Sequence, residues 1–156
     1  MRILVFSDSH GRGSRIEAAI LEHPEAKHVF FLGDKLSDIE DIEHLYPDHS
    51  FYSVAGNCDS IFSKNPYKTV ILAGKKILYT HGHTFSVKSG TERLIAYAKG
   101  IGADIVLYGH THIPETTYDD GLYIINPGSV GRGMRFDSFA AVDIESSGIM
   151  PSIIRI

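Results

Sequence analysis

The stretch MRILVFSDSHG, residues 1–11, decides the reading of the fold. Ile3, Leu4, Val5 and Phe6 form an unbroken apolar run of β-branched and aromatic character, the pattern of a strand buried on both faces as in parallel sheets. The run ends abruptly in Asp8, Ser9, His10 and Gly11. Beyond it, Ser14 and Glu17 have the spacing of a capping box, and Ile16, Ala19 and Ile20 recur at helical intervals until Pro24 stops the segment. A buried strand therefore passes into a helix through a loop that carries an Asp and a His.

The same unit follows again. Val29 to Leu32 is a second buried strand ending in Gly33 and Asp34; Ser37 with Glu40 predicts another capped helix, with Ile39, Ile42 and Tyr46 inward and Pro47 closing it. Phe51 to Ala55 reads as a third strand, ending in Gly56, Asn57, Cys58 and Asp59. The pattern then changes to a hairpin. Tyr67 to Ala73 and Lys75 to Thr80 flank a tight turn at Gly74, and the second strand runs into His81, Gly82 and His83. Ser89 with Glu92 predicts a third capped helix through Leu94, Ile95, Ala98 and Ile101, and Ala103 to Tyr108 a further buried strand ending in Gly109, His110, Thr111 and His112. The rest reads as β: Thr116 to Tyr118 and Leu122 to Ile125 flank Asp120 and Gly121, and Phe139 to Ile144 pairs with Ser152 to Ile156 across Ser146, Ser147 and Gly148. Two sheets packed face to face with helices outside would bury both halves, so residues 1–156 are expected to form a single α/β domain.

Composition narrows the function. With 43% hydrophobic and 22% charged residues the chain is ordinary for a globular protein, and a net charge of −4 offers no long-range attraction to nucleic acid or anionic lipid. Nucleic acid is disfavoured as a partner. About five apolar residues at the N-terminus are too few for a secretion signal or a membrane span, so a cytoplasmic protein is expected. The lone Cys58 cannot form an intrachain disulfide, which fits a reducing compartment.

Each polar cluster comes just after a predicted buried strand: Asp8 and His10, Asp34, Asn57, His81, then His110 and His112. In α/β sheets the loops at the carboxyl ends of strands converge where ligands bind. Three hard oxygen donors and four imidazoles suit Mn, Fe, Co, Ni or Zn and suit Mg or Ca poorly. Seven ligands exceed what one ion uses, whereas two ions about 3.5 to 4 Å apart, sharing a carboxylate, form a recurrent clamp for displacement at phosphorus. Taken singly, Asp8 and Asn57 are ordinary turn residues, and a His-x-His pair is an ordinary surface pair. His23, His28, His44 and His49 lack any partner pattern and read as structural. The joint occurrence, in order and at strand ends, carries the metal reading.

Asp8-Ser9-His10, Gly33-Asp34, Gly56-Asn57-Cys58-Asp59, His81-Gly82-His83 and Gly109-His110-Thr111-His112 resemble the five ordered motifs of the calcineurin-like metallophosphoesterases. Small size, the form of the third motif and the segment Asn126 to Val130 make the chain similar to the compact bacterial and archaeal phosphodiesterase branch, kin to a retromer subunit. The resemblance implies a four-layer α/β/β/α sandwich of two mostly mixed β-sheets flanked by helices. It implies a first metal on Asp8, His10, Asp34 and His112 and a second on Asp34, Asn57, His81 and His110, with manganese favoured and nickel, cobalt, iron or zinc as alternatives. The implied activity is hydrolysis of a small phosphate ester, a diester before a monoester, by in-line attack of a hydroxide bridging two divalent ions. Asn57, Cys58 and His83 are the expected catalytic residues. Better-known members carry a proton-donating histidine where this chain has Cys58, a thiol that either donates weakly or packs under its loop, and a histidine placed there would pair with Asp59 or another carboxylate. Arg12, Lys35, Arg132 and Arg135 are candidate phosphate contacts or plain surface residues. A non-catalytic interaction scaffold is the rival from another class, and a homo-oligomer is compatible with the sequence.

Overall fold

Alternation along the strands explains why their sequences look uniformly apolar. In the computed structural model, which describes residues 1–60 and 65–156, Ile3 and Val5 of β1 (Arg2–Phe6) point into one apolar cluster while Leu4 and Phe6 point into another. The same split occurs in β2 (His28–Phe31), where Phe30 faces the first cluster and Val29 and Phe31 the second. Both faces are buried, so neither shows a polar register.

The chain continues through α1 (Gly13–Glu22), placed between those strands, then α2 (Ser37–Glu43), β3 (Ser50–Ser53), β4 (Tyr67–Leu72) and β5 (Lys75–Thr80). A 3-10 turn at His83–Phe85, α3 (Glu92–Gly100), β6 (Ile105–Leu107), β7 (Glu115–Asp119), β8 (Leu122–Asn126), β9 (Ser138–Glu145) and β10 (Gly148–Arg155) complete it. One sheet has the order β10-β9-β1-β2-β3 and the other β4-β5-β6-β8-β7. Both are mixed: β1, β2 and β3 are parallel, as are β5, β6 and β8, while β9, β10, β4 and β7 pair antiparallel.

Ile3, Val5, Phe30, Ala140 and Val142 of the first sheet meet Ile77, Tyr79, Ile105, Leu107 and Ile125 of the second in one cluster. Each Ile, Val, Leu or Phe side chain here contributes about 1.5–3 kcal/mol on burial, which makes this layer the main attraction between the sheets. α1 and α2 cover the outer face of the first sheet through Ile16, Ile20, Ile39 and Ile42, and α3 covers that of the second through Leu94 and Ala98. The layers run helix, sheet, sheet, helix. No helix among the described residues is long and apolar enough to cross a membrane.

Two of the expected hairpin turns form as read. Ala73 and Gly74, at φ 49° and 73°, and Asp120 and Gly121, at φ 47° and 89°, hold the left-handed backbone that a two-residue turn between twisted strands requires. β10 begins earlier than its sequence suggests, at Gly148, because the edge position tolerates Pro151. The three capping boxes do not form: α1, α2 and α3 are preceded by Arg12, Leu36 and Thr91, none with a side-chain cap. At α2 the N–H groups that Ser37 would cap, those of Ile39 and Glu40, donate to the Leu36 carbonyl at 3.0 and 3.1 Å, while the Asp59 carboxylate receives the preceding N–H groups of Lys35 and Leu36 at 2.9 and 2.8 Å.

Candidate metal centre

The loops after β1, β2, β3, β5 and β6 carry all seven expected ligands, and backbone hydrogen bonds knit these loops together. Asp8 N–H donates to Gly33 O at 2.9 Å, and Gly109 N–H to His81 O at 3.1 Å. Asp8, His10, Asp34, His110 and His112 all hold left-handed φ values, between 46° and 69°. For non-glycine residues each such conformation costs about 1–3 kcal/mol and clusters where function demands it. Glycine permits the closest approach: a Cβ on Gly56 would fall on the Asp34 carboxylate.

One donor atom each from Asp8, His10, Asp34 and His112 lies within 4.8 Å of the others. Beside them, His81 Nε2 is 3.1 Å from Asn57 Oδ1, 3.1 Å from His110 Nδ1 and 3.5 Å from Asp34 Oδ1. Asp34 faces both groups, because its other oxygen lies 3.9 Å from His10 Nε2. The structure thus brings together the residues expected to share each ion.

The hydrogen-bond chemistry fits a cation. His81 Nδ1 lies 2.7 Å from the Leu32 carbonyl and His112 Nδ1 2.9 Å from the Arg132 carbonyl. A carbonyl only accepts, so in both rings Nδ1 carries hydrogen and Nε2 turns toward the cluster, the orientation that metal-bound histidines adopt. There His112 Nε2 meets Asp8 Oδ1 at 3.0 Å and His81 Nε2 meets the Asn57 oxygen, contacts between lone pairs unless a proton or metal ion lies between them. His10 Nε2 is buried with no hydrogen-bond partner among the described residues.

Electrostatics keep most donors ready. Burial and neighbouring His81 push His110 down to about 4, leaving it neutral, and burial lowers His10 as well. Burial alone would raise the Asp8 carboxyl, but His112, His81 and Ser7 together outweigh it and hold the group below its usual value. The hydrogen bond to Asp8 raises His112 in turn. Asp8 is also fixed by Ser7 Oγ at 2.5 Å and His110 N–H at 3.0 Å.

Of the expected catalytic residues, Asn57 sits in the second group and His83 beside it, with ring centroids 5.4 Å from His81 and 6.1 Å from His110. Burial and His81 lower His83, whose Nδ1 has no hydrogen-bond partner among the described residues. Cys58 does not pack under the loop: it is exposed, and its backbone N–H donates to Asp34 Oδ1 at 2.9 Å. Partial desolvation and Asp34 raise its thiol. Nor is Asp59 available to orient a histidine at position 58, because its carboxylate receives the N–H groups of Asp34, Lys35, Leu36 and Gly56 at 2.8 to 2.9 Å. Arg12, Lys35, Arg132 and Arg135 are all exposed.

Some supporting residues have no legible motif. Asp38 Oδ2 accepts from Ser9 Oγ and Gly11 N–H, so α2 holds the first ligand loop. Ser129 Oγ donates to Asp8 O, and Asn126 Nδ2 to Gly109 O and Thr111 Oγ1. The segment from Asn126 to Val130, singled out above only through a resemblance, therefore braces two ligand loops at once.

The description "Calcineurin-like phosphoesterase superfamily domain" fits residues 1–147. The chain is 31% identical over 150 residues to the probable metallophosphoesterase YsnB of Bacillus subtilis, covering 94% of this chain and 86% of that protein. It is 32% identical over 137 residues to vacuolar protein sorting-associated protein 29 of Schizosaccharomyces pombe, covering 83% and 72%. Among solved structures, a predicted phosphoesterase from Streptococcus pneumoniae superposes with a TM-score of 0.83 at 30% identity, covering 99% of this chain and 88% of that one. An archaeal phosphodiesterase superposes at 0.73 and 25% identity, covering 99% and 100%. A family match to residues 1–147, with a fold shared along nearly the whole chain, leaves one conclusion: this protein belongs to the calcineurin-like phosphoesterase superfamily, within the compact branch that includes the Vps29 proteins.

Proposed function

We propose that residues 1–156 act as one cytoplasmic phosphodiesterase domain that uses two divalent transition-metal ions, manganese favoured, with Asp34 shared between them. Asp8, His10 and His112 would complete one site, and Asn57, His81 and His110 the other. When bound, such ions supply positive charge to the transferring phosphoryl group and lower the pKa of a water to roughly 7 for in-line attack. The observation that supports two sites is Asp34, whose two oxygens face two separate groups of donors.

The chain's own groups then divide the work. Asn57 and the neutral imidazoles supply donors without adding negative charge, so a phosphate ester is not repelled. His83 is placed to hydrogen-bond an ester oxygen through a ring N–H, whereas Cys58 at the exposed rim is a weak donor. Without a strong acid here, esters with good leaving groups should react best. The likeness to a Vps29 protein favours a scaffold as the second reading. Against it stands the strain held at five donor residues, which protein contacts alone do not require.

Metal-stripped protein reloaded separately with Mn, Ni, Co, Zn and Mg tests the proposal. With a transition metal, kcat/KM for bis(p-nitrophenyl) phosphate should exceed that for p-nitrophenyl phosphate by about tenfold, a difference of about 1.4 kcal/mol in barrier. No turnover of either ester with any metal would overturn the phosphoesterase reading, and a monoester preference would reverse the diester assignment.

A further inference from the structure

A cavity of about 560 Å³ opens directly beside the cluster, with His110 and His112 in its wall. We infer that this cavity holds one organic arm of the substrate, a neutral ring-bearing group that carries hydroxyl or amino donors; the inference rests on the phosphodiesterase reading. Val87, Ile113 and Met134 line it, with Ile113 and Met134 exposed to 51% and 69%. Such an apolar wall next to a polar centre gains from covering by an apolar ring. A bare phosphate or a methyl ester leaves this volume unfilled.

The polar part of the same wall is Glu115. Tyr108, itself buried, donates its hydroxyl to Glu115 Oε2, and Thr117 Oγ1 donates to Oε1 at 2.7 Å. Among the described residues no Lys or Arg forms an ion pair with this carboxylate. Two neutral donors fix it, and its remaining lone pairs are left for a donor on the ligand. A second phosphate in that position would be repelled, which excludes a diphosphate arm. Carboxylates bind sugar hydroxyls in this manner elsewhere, and a sugar attached to a ring matches both the volume and the wall. Lys88, on the rim, lies close enough to act on His110 and His112 and supplies a cation for the phosphoryl oxygens.

Thymidine 5′-p-nitrophenyl phosphate and methyl p-nitrophenyl phosphate share a leaving group, so the difference in their KM values reports the other arm. Wild-type metal-loaded protein should show a KM about tenfold or more lower for the thymidine ester, and Glu115→Gln should remove most of that advantage, as when a site built for a substrate hydroxyl loses its partner. The methyl ester should be unaffected, with kcat changing little for either. Since the chain has no tryptophan, Met134→Trp places a single reporter at the rim. Its emission, titrated with thymidine 5′-monophosphate, should saturate, and adding Glu115→Gln should weaken that binding. Equal KM values for the two esters, or a Glu115→Gln effect shared by both, would overturn the inference. If the wild type turns over neither ester, the phosphodiesterase reading fails by itself, and the emission titration then decides whether the cavity binds the nucleotide.

Discussion

Asp34→Asn is expected to lower kcat/KM for bis(p-nitrophenyl) phosphate by about 10³-fold or more while leaving the fold in place. The magnitude follows from the shared position of this carboxylate. Neutralising it weakens both groups of donors together, and the several kcal/mol that metal ions contribute to phosphoryl transfer would be lost in large part. Asparagine keeps the volume beside Gly56, and its Oδ1 can still accept the Cys58 N–H, so the loop retains its contacts. Circular dichroism and urea unfolding should therefore resemble wild type, while elemental analysis shows depleted metal. Full activity of Asp34→Asn in excess metal would remove Asp34 from the centre of the account.

Asp59→Asn should be the most damaging change among residues that touch neither substrate nor metal. Four backbone N–H groups converge on its carboxylate, tying the loop of Asp34 to the loop of Asn57 and starting α2. An amide offers one acceptor oxygen and turns an NH₂ toward the remaining donors. Hydrogen bonds to charged groups are worth about 1.5–3 kcal/mol each, and water can reach part of this half-buried site, so a net loss of about 2–3 kcal/mol is expected. Metal affinity should fall about 10- to 100-fold, as when residues that orient ligands are removed. Urea unfolding of chelated protein measures the first effect and metal titration the second. If neither changes, the carboxylate is only a loop cap.

The fold was largely legible because each strand buried on both faces announces itself as a continuous apolar run, as Ile3 to Phe6 and Ile105 to Leu107 do. The ligands were legible for a related reason: a lone Asp or His at a strand end is ambiguous, but the same event after five strands is not. What stayed hidden acts through long-range hydrogen bonds. Asp59 reads locally as a turn residue, and nothing in its neighbours reveals that it caps a helix starting 22 residues earlier. At α2 the Ser37 box had the right spacing, but the helix begins one residue earlier and the Ile39 and Glu40 N–H groups go to the Leu36 carbonyl instead. The fate of Cys58 depended on the path of its loop, which spacing does not encode. Glu115 sits in an exposed-looking β7 sequence, and only the approach of Tyr108, just past the end of β6, shows that it is held in place.

Under the proposed function, catalysis needs two ions sharing Asp34. Titrating metal-free protein with Mn while recording turnover of bis(p-nitrophenyl) phosphate at each equivalent tests it most directly. Activity should remain low through the first equivalent and rise through the second, with elemental analysis of the saturated protein giving two ions per chain. Full activity at one equivalent, or one ion at saturation, would contradict it.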